Sequence, residues 1–252
     1  MQSGEWDGQK ESYRLTRENI VLAFRKRGDI SSLVVQPEDL NSGVIYLKSK
    51  AEGEMASLIS SAEEYGDSKG RRFKDYSAVK PNEKIVAGEM VRYWYMLPEL
   101  YKRHLPNLCI TRVSGDASEC MYVVQDEYNP IAVDANMVTL WSEDTSIQKA
   151  AFAILNSTWC KLYLELLCTV MGGGALKIET SHLKKMLLPD LSIDQLRRLE
   201  QTGNKLIKSK YMTAKIQNEI DMIVSSPFVD EGFIDKSRAL LKKKIIKRRK
   251  QG

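Results

Sequence analysis

The chain has 252 residues, 43% of them hydrophobic, enough for one large domain or two small ones with a real core. No apolar run approaches the ~20 residues needed to cross a bilayer, and the polar, acidic start lacks a signal-peptide centre, so a cytoplasmic protein with no membrane partner is expected. The net charge of +5 is uneven: nine cations and no acid fall in residues 236–250, which leaves the main body mildly acidic and no argument for nucleic acid from net charge alone.

Residues 15–24 read as a short helix capped by Thr16, with Asn19 in the place of the usual capping-box Glu and Gly28-Asp29 as the stop. Strand-like residues 44–47 follow. A helix is expected over residues 52–65, with Met55, Leu58, Ile59 and Ala62 on one face and Gly66 ending it. The next segment has no apolar periodicity and carries Lys69, Arg71, Arg72 and Lys74 around Phe73. Four cations and one aromatic in a loop suit either a grip on DNA phosphates with stacking on a base, or a solvated loop. Residues 91–98 are rich in aromatics, which points to core packing with one ring at a surface.

Between Leu108 and Trp141 the pattern becomes β-like, with runs at 108–113, 121–124, 131–133 and 136–141 separated by Gly115-Asp116 and Asn129-Pro130. A helix then starts at a cap in Asp144-Thr145-Ser146 and places Ile147, Ala150, Ala151, Ile154 and Leu155 on one face. Leu155-Asn156-Ser157 closes it, and a second apolar run leads to Gly172-Gly173-Gly174. Those glycines follow a helix-like run, so they read as a turn from a helix into the short segment at Leu176-Lys177-Ile178, not as a nucleotide cradle. Ser192 caps a long polar helix through Leu196, Leu199, Leu206 and Ile207, expected to run on to Ile216 and Ile223. Pro227 ends it. The basic tail, with Leu240-Leu241 and Ile245-Ile246, forms an amphipathic helix that packs on the domain, tracks phosphates or lies on a membrane surface. The fold class is α+β: a mixed body of short strands, then a helical C-terminal region. Its expected divisions are a lead segment over 1–30, a body over 31–192 and a helical region with a basic tail over 193–252.

The usual catalytic constellations are missing. There is no GxSxG, no P-loop and no GxGxxG after a strand. Asp67-Ser68-Lys69 and Pro189-Asp190 match only fragments of a metal-dependent nuclease pattern, in the wrong order. The four cysteines contain no CxxC pair and the two histidines lie far apart, so no metal site is expected. Three of the cysteines sit in apolar runs and read as reduced core residues.

Several segments together resemble the C-terminal target-recognition (specificity) region of bacterial N6-adenine DNA methyltransferases, in particular the single-chain restriction–modification enzymes. Ala151 to Ser157, continuing to Leu162-Tyr163, is similar to that family's "LNS … ly" signature. Gly172-Gly173-Gly174 through Leu187-Leu188-Pro189-Asp190 is similar to its glycine turn and "l-P" strand end. Ile220-Asp221 to Val224, then Lys247-Arg248-Arg249, resembles its closing "iD … R" helices. Arg92 to Pro98 resembles the "WY-x-L" segment upstream. The likeness spans roughly residues 33 to 250. The family's S-adenosylmethionine glycine motif and (N/D)PP(Y/F) loop are absent; Asn129-Pro130-Ile131 is the nearest approach.

The resemblance therefore implies sequence-specific recognition of double-stranded DNA without catalysis by this chain alone. S-adenosylmethionine and the chemistry would belong to a methylase module or subunit. DNA contact is expected first at Lys69, Arg71, Arg72 and Lys74, then at Lys177, His182, Lys184 and Lys185. Two other readings remain open: a helical interaction subunit of a restriction complex, docking through Leu196, Leu199 and Leu206, and a nuclease in its own right.

Overall fold

A computed structural model of the chain describes residues 15–66, 70–228, 230 and 232–250. In chain order the regular elements are β1 (Ile20–Phe24), β2 (Val34–Val35), β3 (Gly43–Ile45), α1 (Gly53–Glu64), β4 (Lys84–Val86), β5 (Glu89–Arg92), β6 (Leu108–Thr111), β7 (Val113–Ser114), β8 (Cys120–Val123), β9 (Ile131–Val133) and β10 (Met137–Leu140). Then come α2 (Thr145–Leu155), α3 (Thr158–Leu167), β11 (Thr169–Val170), β12 (Leu176–Lys177), α4 (Thr180–Lys185), α5 (Ile193–Ser209), α6 (Ala214–Ser225) and α7 (Phe233–Arg249). The class is α+β, as expected.

The chain divides into two compact units, one of residues 1–23 and 41–100, the other of 24–40 and 101–252. This division differs from the expected boundaries at 30 and 192, for two physical reasons. Val34 and Val35 pair in parallel with Tyr122 and Val123, which ties residues 24–40 to the later strands. Helix α5 packs along α2, so the helical region shares one core with those strands.

In the first unit, β1 pairs antiparallel with β3. The expected helix at 15–24 is not formed. A single 3₁₀ turn at Arg17–Asn19 leads straight into β1, where β-branched Ile20 and Val21 favour extended backbone. Asn19 donates to Thr16 Oγ1 at 2.9 Å. Helix α1 buries Met55, Leu58, Ile59 and Ala62, the face its spacing predicts. Met55, Leu58 and Ala62 pack with Leu47 and Met96, and Tyr93, Trp94 and Tyr95 close over them. Tyr93 and Tyr95 stack at 5.4 Å, and the indole N–H of Trp94 reaches Glu63 at 2.6 Å. Strands β4 and β5 form a hairpin whose turn, Ala87-Gly88, takes two positive φ angles, 52° and 86°.

The second unit is built on a four-stranded sheet, β10-β6-β8-β2, antiparallel except for the last pair. Helices supply the rest of its core, with Phe152, Leu164, Leu199, Leu206, Ile220 and Ile223 among the fully buried side chains. Asp144 caps α2 as expected, accepting from the Ser146 and Ile147 amides. Ile147, however, is 56% exposed. Gln148 turns inward instead, accepting from Tyr122 at 3.2 Å and donating to the Ser142 carbonyl. Ser192 and Gln195 form a capping box on α5. That helix does not run on to Ile223: Lys210 adopts a left-handed φ of 60°, and Thr213 caps α6 as a new helix. On α5, Gly203 lies against the Lys149 carbonyl of α2 so closely that any Cβ would collide with it.

The glycine turn also differs from expectation. It does not join a helix to a strand. Helix α3 ends at Leu167, and Thr169 and Val170 pair with Lys177 and Leu176, so residues 172–174 form the turn of a small hairpin. Gly173 and Gly174 take φ of 79° and 71°, which side chains rarely tolerate.

Candidate nucleic-acid interface

The Asn156-Ser157 signature is buried and makes no surface of its own. The Asn156 side chain accepts from the Cys120 amide at 3.1 Å and donates to the Cys120 and Phe152 carbonyls at 3.0 and 2.9 Å, standing in for a strand partner at the end of β8. Ser157 caps α3 through the Cys160 amide at 3.1 Å. The next residue, Thr158, places its amide and hydroxyl on the two oxygens of Asp221, each at 2.8 Å. The Asp221 side chain is 3% exposed and is neutralised by Arg238 of α7 at 2.7 Å. Gln217 bridges the Asn156 carbonyl and Asp221. A buried carboxylate persists only with such partners.

A second network holds the glycine hairpin. Arg248, in the last turn of α7, donates through Nε to both oxygens of Glu165 at 3.1 and 2.9 Å. Its Nη1 reaches the Gly174 and Gly115 carbonyls at 2.5 and 2.9 Å, and its Nη2 the Asp116 carbonyl at 2.8 Å. Both charged side chains are within 4% of complete burial. Gly174 has no room for a side chain, since a Cβ would lie 2.9 Å from Arg249 Cα. The position therefore demands glycine for its φ and for its neighbour.

The expected DNA contacts fall in both units. In the first, Arg72 bridges to Gly66 and its amide donates to the Asp75 carboxylate at 3.1 Å, closing a 3₁₀ turn that carries Lys74. Arg71 lies over the Tyr76 ring at 5.0 Å, and Phe73 stacks on Tyr65 at 6.0 Å. Arg71 and Arg72 are exposed and Lys74 is half-buried. Lys69 lies outside the described residues.

In the second unit, Lys177 on β12 and His182, Lys184 and Lys185 on α4 follow the glycine hairpin. Lys177 pairs with Glu179 at 2.8 Å, and His182 Nδ1 accepts from the Glu179 amide at 3.1 Å. Lys184 and Lys185 are exposed. The hydrogen bond and charge of Lys177 hold the Glu179 carboxyl below the ordinary carboxylate range, and His182 and Arg112 add to this. Arg112 is thus a further cation of the cluster. In the sequence it stands in a β-like run, and its position between two short strands, where alternate residues face outward, is the signal for it. The cluster can grip phosphates, and the carboxylate among its cations can accept from a base amino group.

The interaction face expected on α5 is not available as such: Leu199 and Leu206 are fully buried, and only Leu196, 44% exposed, remains at the surface. All four cysteines are buried and unpaired. Burial pushes the thiols of Cys109 and Cys160 up to about 12 and that of Cys168 to about 11. Among the described residues no three metal-ligating side chains gather, and no helix is long and apolar enough to cross a membrane. No protein-family model matches the chain, and neither does any curated protein.

Proposed function

We propose that this chain is the target-recognition part of an N6-adenine DNA methyltransferase or restriction–modification system, binding double-stranded DNA beside a methylase module carried elsewhere. One observation carries the reading. Asn156, Gly174, Asp221 and Arg248 all belong to the segments that resemble such regions, and they take part in two buried networks that tie α3, α6, α7 and the glycine hairpin together. Three of the segments that resemble the family are therefore also in contact, as parts of one scaffold should be, while Arg92 to Pro98 packs on α1 in the first unit. On that scaffold Arg112, Lys177, His182, Lys184 and Lys185 set register on phosphates and read base edges; Arg71, Arg72 and Lys74 of the first unit are a separate expected contact. The flipped adenine and S-adenosylmethionine belong to the methylase module.

A competition gel shift with the methylase module tests this. Specific duplex should outcompete random duplex, and Lys184→Ala with Lys185→Ala should weaken binding to both. Failure to bind any duplex, even with the module present, overturns the reading. Unchanged affinity in Arg71→Ala and Arg72→Ala overturns only that assignment. A second reading, a helical interaction subunit, is favoured by Leu187, Leu188, Ile193 and Leu196, which are 44–70% exposed. A complex with a methylase chain that survives gel filtration without DNA and is lost in Ile193→Glu would support it.

A further inference from the structure

We infer that the outward face of α7 is a contact for the phosphates of double-stranded DNA, made by Lys243, Lys247 and Lys250. The inference rests on the target-recognition reading only for its choice of DNA as partner. Of the nine cations in residues 236–250, four pair with acids, and Lys242 and Lys244 lie on the flanks of the helix, about 100° to either side of Lys243. Those turned toward acids are accounted for: Arg238 on Asp221, Arg248 on Glu165, Arg249 on Asp116 and Lys236 on Asp230. Lys243, Lys247 and Lys250 are exposed, and no carboxylate of a described residue pairs with them.

At 3.6 residues per turn these three lysines share a sector of roughly 60°, opposite the half-buried Leu241 and Ile245 and the buried Ser237 and Arg248. Their axial spread is about 10 Å, about three steps of the ~3.4 Å rise per phosphate along one DNA strand. The helix is tied down near both ends, by Arg238 to α6 and by Arg248 to α3. The lysines are therefore presented on a fixed rod, which lowers the ordering cost of binding. Favourable interaction with the helix dipole explains cations in the last turn, but not Lys243 in mid-helix. A lipid surface fits less well. Leu240 and Ile246 are exposed, but they lie about 120° apart around the helix with the lysines between them, so α7 has no continuous outward apolar face to sink into a bilayer.

The test uses the full chain and its Lys243→Ala/Lys247→Ala/Lys250→Ala variant, with fluorescently labelled duplexes titrated from 50 to 200 mM salt. The three side chains are exposed and bonded to no carboxylate, so the variant should melt with the wild type. The slope of log affinity against log salt should shrink by about 2.7, so that the wild type loses roughly 40-fold more affinity over that range than the variant does. An equal slope overturns the inference, as does loss of binding to phosphatidylserine vesicles with an equal slope, which would make the face a lipid contact. If the wild type prefers one sequence and the slope is unchanged, the inference falls alone. If it binds all sequences equally and the slope shrinks, the inference stands and target recognition falls. No binding to any duplex by the chain alone overturns the inference, and no binding even with the methylase module present overturns target recognition as well.

Discussion

Arg248 is the residue on which most separate parts of the second unit converge, since its guanidinium touches α3, the glycine turn and the loop after β7. Arg248→Ala leaves Glu165 charged and buried, and should cost about 3–5 kcal/mol. Thermal melting should fall by at least ~6 °C for a chain of this size; a shift below 2 °C would contradict the network. The four buried thiols give a second expectation. Their folded pKa values lie above the ordinary 9.0 of a thiol. The protonated form is therefore favoured by folding, and the associated stability is complete below pH 9.0 and is lost as pH rises toward 12. Melting temperature should be level from pH 7 to 8.5 and drop between pH 9 and 11, and a thiol reagent at pH 8 should label the protein only after unfolding. Rapid labelling in native buffer would show that the thiols are not enclosed.

Among the elements, the glycine hairpin offers a paired test. Gly174→Ala must adopt a positive φ and meets α7 backbone, so a loss of roughly 2 kcal/mol or more is expected. Gly172→Ala meets nothing within 4 Å and needs no unusual φ, so denaturant unfolding should place it close to the wild type. Equal losses in the two would contradict the packing of α7 on this turn. The same elements show what was legible in the sequence. Helix α1, the starts of α2 and α5 and the strands β6, β8, β9 and β10 follow from local periodicity and caps, because local backbone preference and burial agree there. Where they disagree, the sequence misleads. Residues 20–24 have helix-like apolar spacing but β-branched side chains, and pairing with β3 decides in favour of a strand. Gln148 displaces Ile147 from the interior because the Tyr122 hydroxyl and the Ser142 carbonyl offer it partners. The hairpin at Ala87-Gly88 lacks the Asn-Gly signal that such turns usually carry, so local sequence does not mark it.

At the scale of the whole molecule, the candidate site was only partly legible. Its cations could be picked out by loop position and charge, but Arg112 becomes part of the cluster only when residues more than sixty positions apart are brought together by the pairing of β7 with β12. The roles of Asn156, Asp221 and Arg248 are likewise long-range. Each motif reads as a fragment until the others are beside it. Because the S-adenosylmethionine and adenine-binding motifs are missing, calorimetry with S-adenosylmethionine should give no heat with this chain alone; measurable binding would move the chain toward catalysis. The central claim is sequence-specific binding of duplex DNA, and it is tested most directly by selection from a pool of random duplexes with the methylase module present. A single enriched sequence, lost when Arg112, Lys177, Lys184 and Lys185 are replaced by Ala, is the expected result. A pool that stays random, or one whose enrichment is the same when this chain is left out, would contradict it.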